Sequence, residues 1–339
     1  MKKKTSIKDI AQKCHVSVST VSKALNNRED VSKEKKDEIC KVAREMNYIP
    51  SYLVSTLKSS KRPRLIGVLL ATGTGLMHEY FAKVLNSFKT TIEERGYILV
   101  LLNASDSPNR LTFAEQSQRM NLDGIFILCA DFGQIEVQNL LNINIPLVTA
   151  DNIVPGHISV MSNQYGDMTR LLQLIYERGH KKIAYIHGEN SEVTKKRVDA
   201  YKNFLKEHNL TYRKEYLYTC PYRDTEKVEA LTKIILKISD PPTCILYPDD
   251  LTAITGIFVM KENDTLVPRD ISVAGYDGIS MMNIVSPRLT TIRQDTISMG
   301  IQAGNHLVNK IEFPDTKTGN ESIWVDGMVE PGESVRMII

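Results

Sequence analysis

The chain has 339 residues, with 43 Lys and Arg against 40 Asp and Glu, a net charge of +3. Forty-two per cent hydrophobic and 24 per cent charged residues are ordinary globular values, which excludes disorder and collagen-like repeats. Five cysteines, an odd count with no C-x-x-C pair, argue against a disulfide framework and for a reducing cytosol. The length allows two or three domains. No apolar run approaches the roughly 18 residues that span a bilayer. The basic start Met1-Lys2-Lys3-Lys4 is followed by Lys8, Asp9, Gln12 and Lys13 rather than an apolar signal segment, so the expected location is the cytoplasm, with no membrane contact. The near-neutral total hides a split. Residues 1–64 carry 16 Lys and Arg against 7 Asp and Glu, a balance of +9, and residues 65–339 carry 27 against 33, a balance of −6. A basic N-terminal fifth on an acidic remainder points to a polyanion such as nucleic acid. The plainer alternative is a solvated, lysine-rich surface.

In chain order, the first 60 residues hold three short amphipathic helices and no convincing strand. The first spans about 7–14, with Ser6 as N-cap, Asp9 completing a capping box, and Ile7, Ile10, Ala11 and Cys14 on one face. The second starts at Ser17 and presents Val18, Val21 and Leu25. The third starts at Ser32, carries Glu34 in its first turn, and buries Ile39, Val42, Ala43 and Met46. Only His15 and Val16 separate the first two, which is the short turn of a helix-turn-helix. Residues 50–63, PSYLVSTLKSSKRP, are Ser- and Lys-rich and bounded by prolines, so they read as a linker. Within it, residues 51–58 suffice for two helical turns, too few to be stable alone in water.

From residue 64 onward, short apolar runs alternate with helical stretches. Strands are expected at 65–71, 98–102, 124–130, 146–150, 183–187, 243–247 and 271–275. Helices are expected at 79–95, 165–178, 195–208, 225–238 and 251–262. This alternation predicts βαβ units and doubly wound parallel sheets, arranged as a loose internal repeat of two α/β lobes.

The exposed side of the second helix is small, hydroxyl-bearing and basic. Hydroxyls and backbone N–H groups at a helix start bind phosphate, and small side chains let the helix approach base edges. Val18 suits a thymine methyl, Ser19 either groove edge, and Lys23 a guanine or a phosphate. A ligand-free packing bundle is the alternative, and the turn length, the caps and the charge together outweigh it.

The segment 5–25, TSIKDIAQKCHVSVSTVSKAL, followed by Asn26-Asn27, resembles the opening of the lactose-repressor (LacI/GalR) family. Val31-Ser32, Asn47-Tyr48-Ile49-Pro50, Leu122-Asp123-Gly124-Ile125, Arg178-Gly179-His180, the stretch VPRDISV from Val267, and LTTIRQ from Leu289 continue the likeness in order along the chain. The resemblance implies an all-α helix-turn-helix headpiece (1–49), a hinge helix and linker (50–63), and a two-lobed α/β body of periplasmic-binding-protein type (64–339). One lobe would hold about 64–161 plus 293–322, and the other about 162–292 plus 323–339. It implies a homodimeric regulator whose headpieces bind a near-palindromic double-stranded operator, with the second helix in the major groove. Thr5, Ser17, Val18, Ser19, Thr20, Ser22, Lys23 and Asn26 are the implied DNA contacts. Leu57 aligns with the leucine that wedges into the minor groove and kinks the duplex. The chain departs from the family pattern at Cys14-His15 (usually Ala-Gly), at Lys23 (usually Arg) and at Val54-Ser55 (usually Ala-Arg). His15 stands where a left-handed backbone favours glycine, and Lys23 keeps the charge but lacks the bidentate fork of arginine.

Ligands of doubly wound sheets bind beyond the carboxyl ends of the strands. Tyr80, Phe81, Asp151, Arg197, Asp249, Asp250 and Asp277 fall at such places. By resemblance, Tyr80, Phe81, Asp151, Arg197, Asp249, Asp277 and Gln294 contact the effector, and Tyr222 is the candidate ring that stacks on it. Helix capping is the competing role for strand-end aspartates, for Asp250 above all. The effector expected from these polar and aromatic residues is a sugar or sugar derivative, with a purine or nucleoside corepressor as the alternative. The stretch 71–78, ATGTGLMH, begins like a dinucleotide fingerprint, but His78 replaces its third glycine. No nucleophile motif, metal-ligand spacing or Walker lysine occurs in the sequence, so no enzyme activity, cofactor or metal is expected. A solute-binding protein would lack the headpiece. No leucine heptads follow Trp324, so no tetramer built on the tail is expected.

Overall fold

Ser6, Ser17 and Ser32 each open a helix by accepting a backbone N–H three residues on. The computed structural model describes residues 5–25, 28, 30–46, 48, 63–70, 75–102, 111–315 and 322–338. The chain divides into two compact units, Met1–Pro63 and Arg64–Ile339. In the first, α1 (Ile7–Lys13), α2 (Val18–Leu25) and α3 (Lys33–Glu45) bury Ile10, Ala11, Cys14, Val21, Ala24, Ile39 and Ala43 in one small core. The capping box of Ser6 and Asp9 forms in both directions. His15 adopts φ +53° in the turn between α1 and α2, the left-handed conformation expected there.

Among its described residues the second unit contains two parallel sheets and one antiparallel ribbon. The first is six-stranded and parallel, ordered β11-β5-β4-β3-β1-β2. It consists of β1 (Leu65–Leu70), β2 (Ile98–Leu101), β3 (Gly124–Cys129), β4 (Leu147–Ala150), β5 (Ile158–Ser162) and β11 (Ser322–Val325). The second is four-stranded and parallel, ordered β7-β6-β8-β9, from β6 (Ile183–His187), β7 (Leu217–Thr219), β8 (Cys244–Leu246) and β9 (Ser272–Ala274). A two-stranded antiparallel ribbon pairs β10 (Thr291–Arg293) with β12 (Met328–Glu330). Helices α4 (Glu79–Glu94) and α11 (Thr296–Glu312) cover one face of the larger sheet; α5 (Phe113–Arg119) and α6 (Ile135–Leu141) cover the other. In the smaller sheet, α7 (Gln164–Glu177) and α8 (Glu192–Glu207) face α9 (Thr225–Ile235) and α10 (Asp250–Glu262) in the same way.

Alternation along the strands builds these layers. Ile66, Val68, Phe126 and Val148 point to α4 and α11, while Leu69, Ile125, Ile127 and Leu147 point to α5 and α6. Strands covered on both faces are apolar throughout, which is why they read as continuous runs. Helices α4 and α11 approach closely because α11 carries Gly300: a methyl group there would meet the Val84 carbonyl oxygen at 2.5 Å. The sequence pattern assigns no helix to 296–312, because glycines at the contact weaken the helical signal.

The chain crosses between the lobes three times, at 163, at 294–295 and at 326–327. β11 pairs in parallel with β5, Ser322 opposite Ser159 and Val325 opposite Ser162, so residues 323–325 belong with the larger sheet and the last crossing follows Val325.

Candidate functional site

The N-terminal turn of α2 gathers hydroxyl groups at the surface of the headpiece. Ser17 Oγ lies 2.6 Å from Ser19 Oγ and 2.8 Å from Thr20 Oγ1, and it accepts the Thr20 amide at 3.1 Å. Val21 and Ala24 are buried against α1 and α3, which turns Ser19 and Lys23 outward, while Val18, Thr20 and Ser22 are half-buried. An anion meets the helix dipole and hydroxyl donors together at this end. Two predicted DNA contacts are tied up within the headpiece. Lys23 Nζ lies 2.6 Å from Asp30 Oδ2, and the Thr5 hydroxyl donates to the Met46 carbonyl at 3.0 Å. Asn26, Leu57 and the predicted hinge helix at 51–58 lie outside the described residues.

In the body, seven of the eight predicted effector residues line one cavity of about 410 Å³ at the carboxyl ends of both sheets. Tyr80 and Phe81 open α4, Asp151 follows β4, Arg197 lies one turn into α8, Tyr222 follows β7, Asp277 follows β9, and Gln294 follows β10. Asp249 is the exception. It is the N-cap of α10: Oδ1 accepts the Thr252 amide at 2.9 Å and Oδ2 the Arg223 amide at 2.8 Å. The capping role considered for Asp250 therefore falls to its neighbour, because the helix starts one residue earlier than the pattern predicts. Asp250 is buried and accepts the amides of Gly278 and Ile279 and the Thr291 hydroxyl, which fixes the loop that carries Asp277.

The polar groups of the cavity form a chain across the crossings. Arg197, 3% exposed, donates from Nε to Gln164 Oε1 at 2.7 Å and from Nη1 to the Pro248 carbonyl at 3.1 Å. Its guanidinium lies 3.4 Å from the centre of the Tyr276 ring. Gln164 Nε2 donates to Gln294 Oε1 at 3.3 Å, and Gln294 Nε2 donates to Asp277 Oδ1 at 2.8 Å. On the far wall, Tyr80 donates to Asp151 Oδ2 at 2.6 Å, and Asp151 Oδ1 accepts the Ser162 amide at 2.8 Å. Asp151 and Asp277 both adopt positive φ, +53° and +114°. Backbone strain of this kind concentrates at ligand sites, where the surroundings over-determine it.

Burial pushes Asp277 up to about 7, a rise that Arg197 partly offsets. Burial also pushes His78 down to about 4, helped by the positive charges of Arg223 and Arg197. His78 Nε2 stands 4.0 Å from Asp277 Oδ2. Two further contacts join the lobes around the cavity. The Glu79 carboxylate accepts the Ser280 amide at 3.0 and 3.1 Å and the Ser280 hydroxyl at 2.6 Å, capping the 3-10 turn Ser280–Asn283 from the opposite lobe. Lys196 on α8 lies 5.5 Å above the ring of Trp324 on β11. Behind the cavity, buried Asp167 accepts the Gly327 amide and pairs with Arg170, which also reaches Asp326 at 3.3 Å, so the first and third crossings are tied together.

Comparison with known proteins supplies the family. Residues 6–51 match the model of bacterial regulatory proteins, lacI family, and residues 172–335 match the periplasmic binding protein-like domain. The chain belongs to the lacI family of bacterial regulatory proteins. It is 27% identical over 321 residues to the HTH-type transcriptional repressor PurR of Actinobacillus pleuropneumoniae serotype 3, covering 94% of each chain. It is 28% identical over 316 residues to the repressor of the same name from Mannheimia succiniciproducens, covering 92% and 93%. In fold it matches the lac repressor dimer bound to operator and the anti-inducer ONPF, with TM-score 0.81, 21% identity and coverage of 98% and 100%. It also matches a lacI-family regulator from Enterococcus faecium with bound ribose, with TM-score 0.70, 21% identity and coverage of 81% and 100%. As a lacI-family protein, the chain is a DNA-binding transcriptional repressor with a helix-turn-helix headpiece and a two-lobed ligand-binding body. Proteins of the family bind operator DNA and a small-molecule effector, and they dimerise.

Among the residues of the site that the pattern reading misses are Gln164, His78 and Arg223. Gln164 follows β5, a strand the pattern does not assign. His78 sits inside the false dinucleotide fingerprint. Arg223 adopts φ +63° in a turn with no period of its own. His180 is buried between the Thr243 hydroxyl at 2.9 Å and the Arg336 carbonyl at 3.0 Å. Among the described residues no group of three or more potential metal ligands occurs, and no helix is long and apolar enough to cross a membrane.

Proposed function

We propose that this lacI-family repressor is a cytoplasmic homodimer controlled by a sugar or sugar derivative bound between its lobes. The observation that carries the reading is the chain Arg197–Gln164–Gln294–Asp277. It runs along the smaller-sheet lobe past two crossings and faces a cavity walled by both lobes, by Tyr80 and Phe81 on one side and Tyr222 on the other. Hydroxyl groups pair with carboxylates, amides and guanidinium N–H groups, and a sugar ring packs on an aromatic face. An effector held by both lobes binds one lobe arrangement better than another, and it moves operator affinity only by that difference. The hydroxyl-rich start of α2 reads the operator, Lys23 meets a phosphate or guanine, and residues 50–63 link headpiece to body with Leu57 as the minor-groove wedge.

A purine or nucleoside is the second reading. The relatives named PurR favour it, and so do three ring side chains, His78, Phe81 and Tyr222, lining one cavity. A thermal-shift screen of the full chain against sugars and nucleosides separates the two, since a ligand that binds only the folded state raises the melting point. Operator binding followed by fluorescence anisotropy with and without the hit then tests control. A hit that melts the body higher yet leaves operator affinity unchanged would refute the regulatory role.

A further inference from the structure

Two guanidinium groups reach the effector cavity, and no ion pair joins either to a carboxylate among the described residues. Arg223 is held by its own backbone: its amide donates to Asp249 and its φ is +63°. Its Nη1 is enclosed and has no hydrogen-bond partner. Arg197 uses Nε and Nη1 on Gln164 and Pro248, and its Nη2 makes no hydrogen bond to the described residues. Both charges act on the same place, since His78 and Asp277 each feel both. The nearby carboxylates are committed elsewhere. Asp249 caps α10, Asp151 accepts from Tyr80 and Ser162, Glu189 accepts the Tyr222 amide, Glu192 pairs with Lys195, and Asp277 accepts from Gln294. A buried cationic donor without an acceptor is unfavourable, and guanidinium pairs best with a planar or tetrahedral anion through parallel N–H bonds. A neutral hydroxyl would satisfy one N–H and leave both guanidinium groups without an ion-paired anion.

We propose that the effector carries an anionic oxygen group, a carboxylate or a phosphate ester, seated against Arg223 and Arg197. The proposal rests on the cleft reading above and narrows it to sugar acids and sugar phosphates. Hydroxyls elsewhere on the same ligand meet Asp277 and Gln294.

The test is calorimetry and thermal shift on the full chain at fixed ionic strength. The probes are glucuronate, glucose 6-phosphate and neutral glucose, with inosine and inosine 5′-monophosphate as the nucleoside pair, and inorganic phosphate against chloride. At least one anionic probe should bind about tenfold or more tightly than its neutral parent, as expected for a charge-assisted bidentate contact. Arg223→Gln should remove most of that preference, and Arg223→Lys should keep part of it. The thermal melting transition of each variant reports that the body is folded. Glucuronate binding against glucose 6-phosphate binding tells a carboxylate ligand from a phosphate ligand. Neutral parents binding as tightly as the anions would overturn the proposal and leave the sugar reading standing. An anion preference that survives in Arg223→Gln would overturn it too. Binding confined to the nucleoside pair would refute the sugar reading, and the ratio of monophosphate to inosine would then decide the anion proposal alone. No stabilisation by any anion, inorganic phosphate included, would count against it outright.

Discussion

Glu79→Ala offers a direct measure of how much the lobe-to-lobe contact contributes. The carboxylate receives an amide and a hydroxyl from Ser280 on the other lobe, at 2.6 to 3.1 Å, while Lys83 holds it at 2.6 Å from the same side. Hydrogen bonds to a charged group contribute about 1.5–3 kcal/mol each when protected from water. The Glu79 side chain is 31% exposed, so solvent competition lowers the pair to a total of about 1–2 kcal/mol. That is a factor of about 5–30 in the ratio of closed to open lobes. An effector that binds the closed arrangement should then lose up to the same factor in apparent affinity, because the competent fraction falls. Ser280→Ala removes only the hydroxyl and should show a smaller loss; Glu79→Gln keeps an acceptor but not the charge and should fall between. Calorimetry gives the affinity, and small-angle scattering of the isolated body gives the lobe separation. Unchanged affinity together with unchanged scattering in Glu79→Ala would refute the view that this contact sets closure.

The remaining predictions concern protonation, the headpiece and the division of the chain. Asp277 holds its proton up to about 7 when folded but only to 3.8 unfolded, so its stabilisation is full at acid pH and is lost as pH rises through 7. His78 has the opposite sign: its folded value of about 4 lies below 6.5, so its contribution is full above 6.5 and is lost as pH falls toward 4. The two slopes oppose each other between about 4 and 6.5. In urea titrations referred to the unsubstituted chain, Asp277→Asn should gain stability with rising pH in that window and His78→Gln should lose it; parallel slopes would contradict the assignment. Asp30→Ala frees Lys23 from its 2.6 Å ion pair and should tighten DNA binding at low salt. It should also steepen the log–log salt slope by about one, read by anisotropy at several salt concentrations. Removing residues 1–63 should leave a folded body with undiminished effector affinity and no operator binding, since Met1–Pro63 and Arg64–Ile339 are separate compact units; loss of the melting transition would disprove that independence.

Features encoded locally were legible in the sequence. The serines at 6, 17 and 32 announce their helices because a cap involves residues three apart. Asp151, Arg197 and Asp277 were reachable because strand ends can be read and ligands gather there. What depended on distant partners was not legible. Helix α11 carries glycines that serve its approach to α4, about 200 residues earlier in the chain, so its helical signal is weak. Strand β11 is defined by pairing with β5, which no local pattern records. Asp249 and Asp250 are adjacent and identical in type, and only the starting point of α10 decides which one caps it. Arg223 enters the site through a left-handed turn rather than through a periodic element.

The position of β11 also dictates the order in which the molecule is completed during synthesis. The headpiece is finished once residue 63 has emerged, while the larger sheet lacks an edge until Val325, near the end of the 339 residues. At roughly 5–20 residues per second, the interval is on the order of 10–50 seconds. During it, each nascent chain presents a folded headpiece on an unfinished body. The larger sheet of the body therefore gains its last described edge strand only once residue 325 has been made, well after the headpiece.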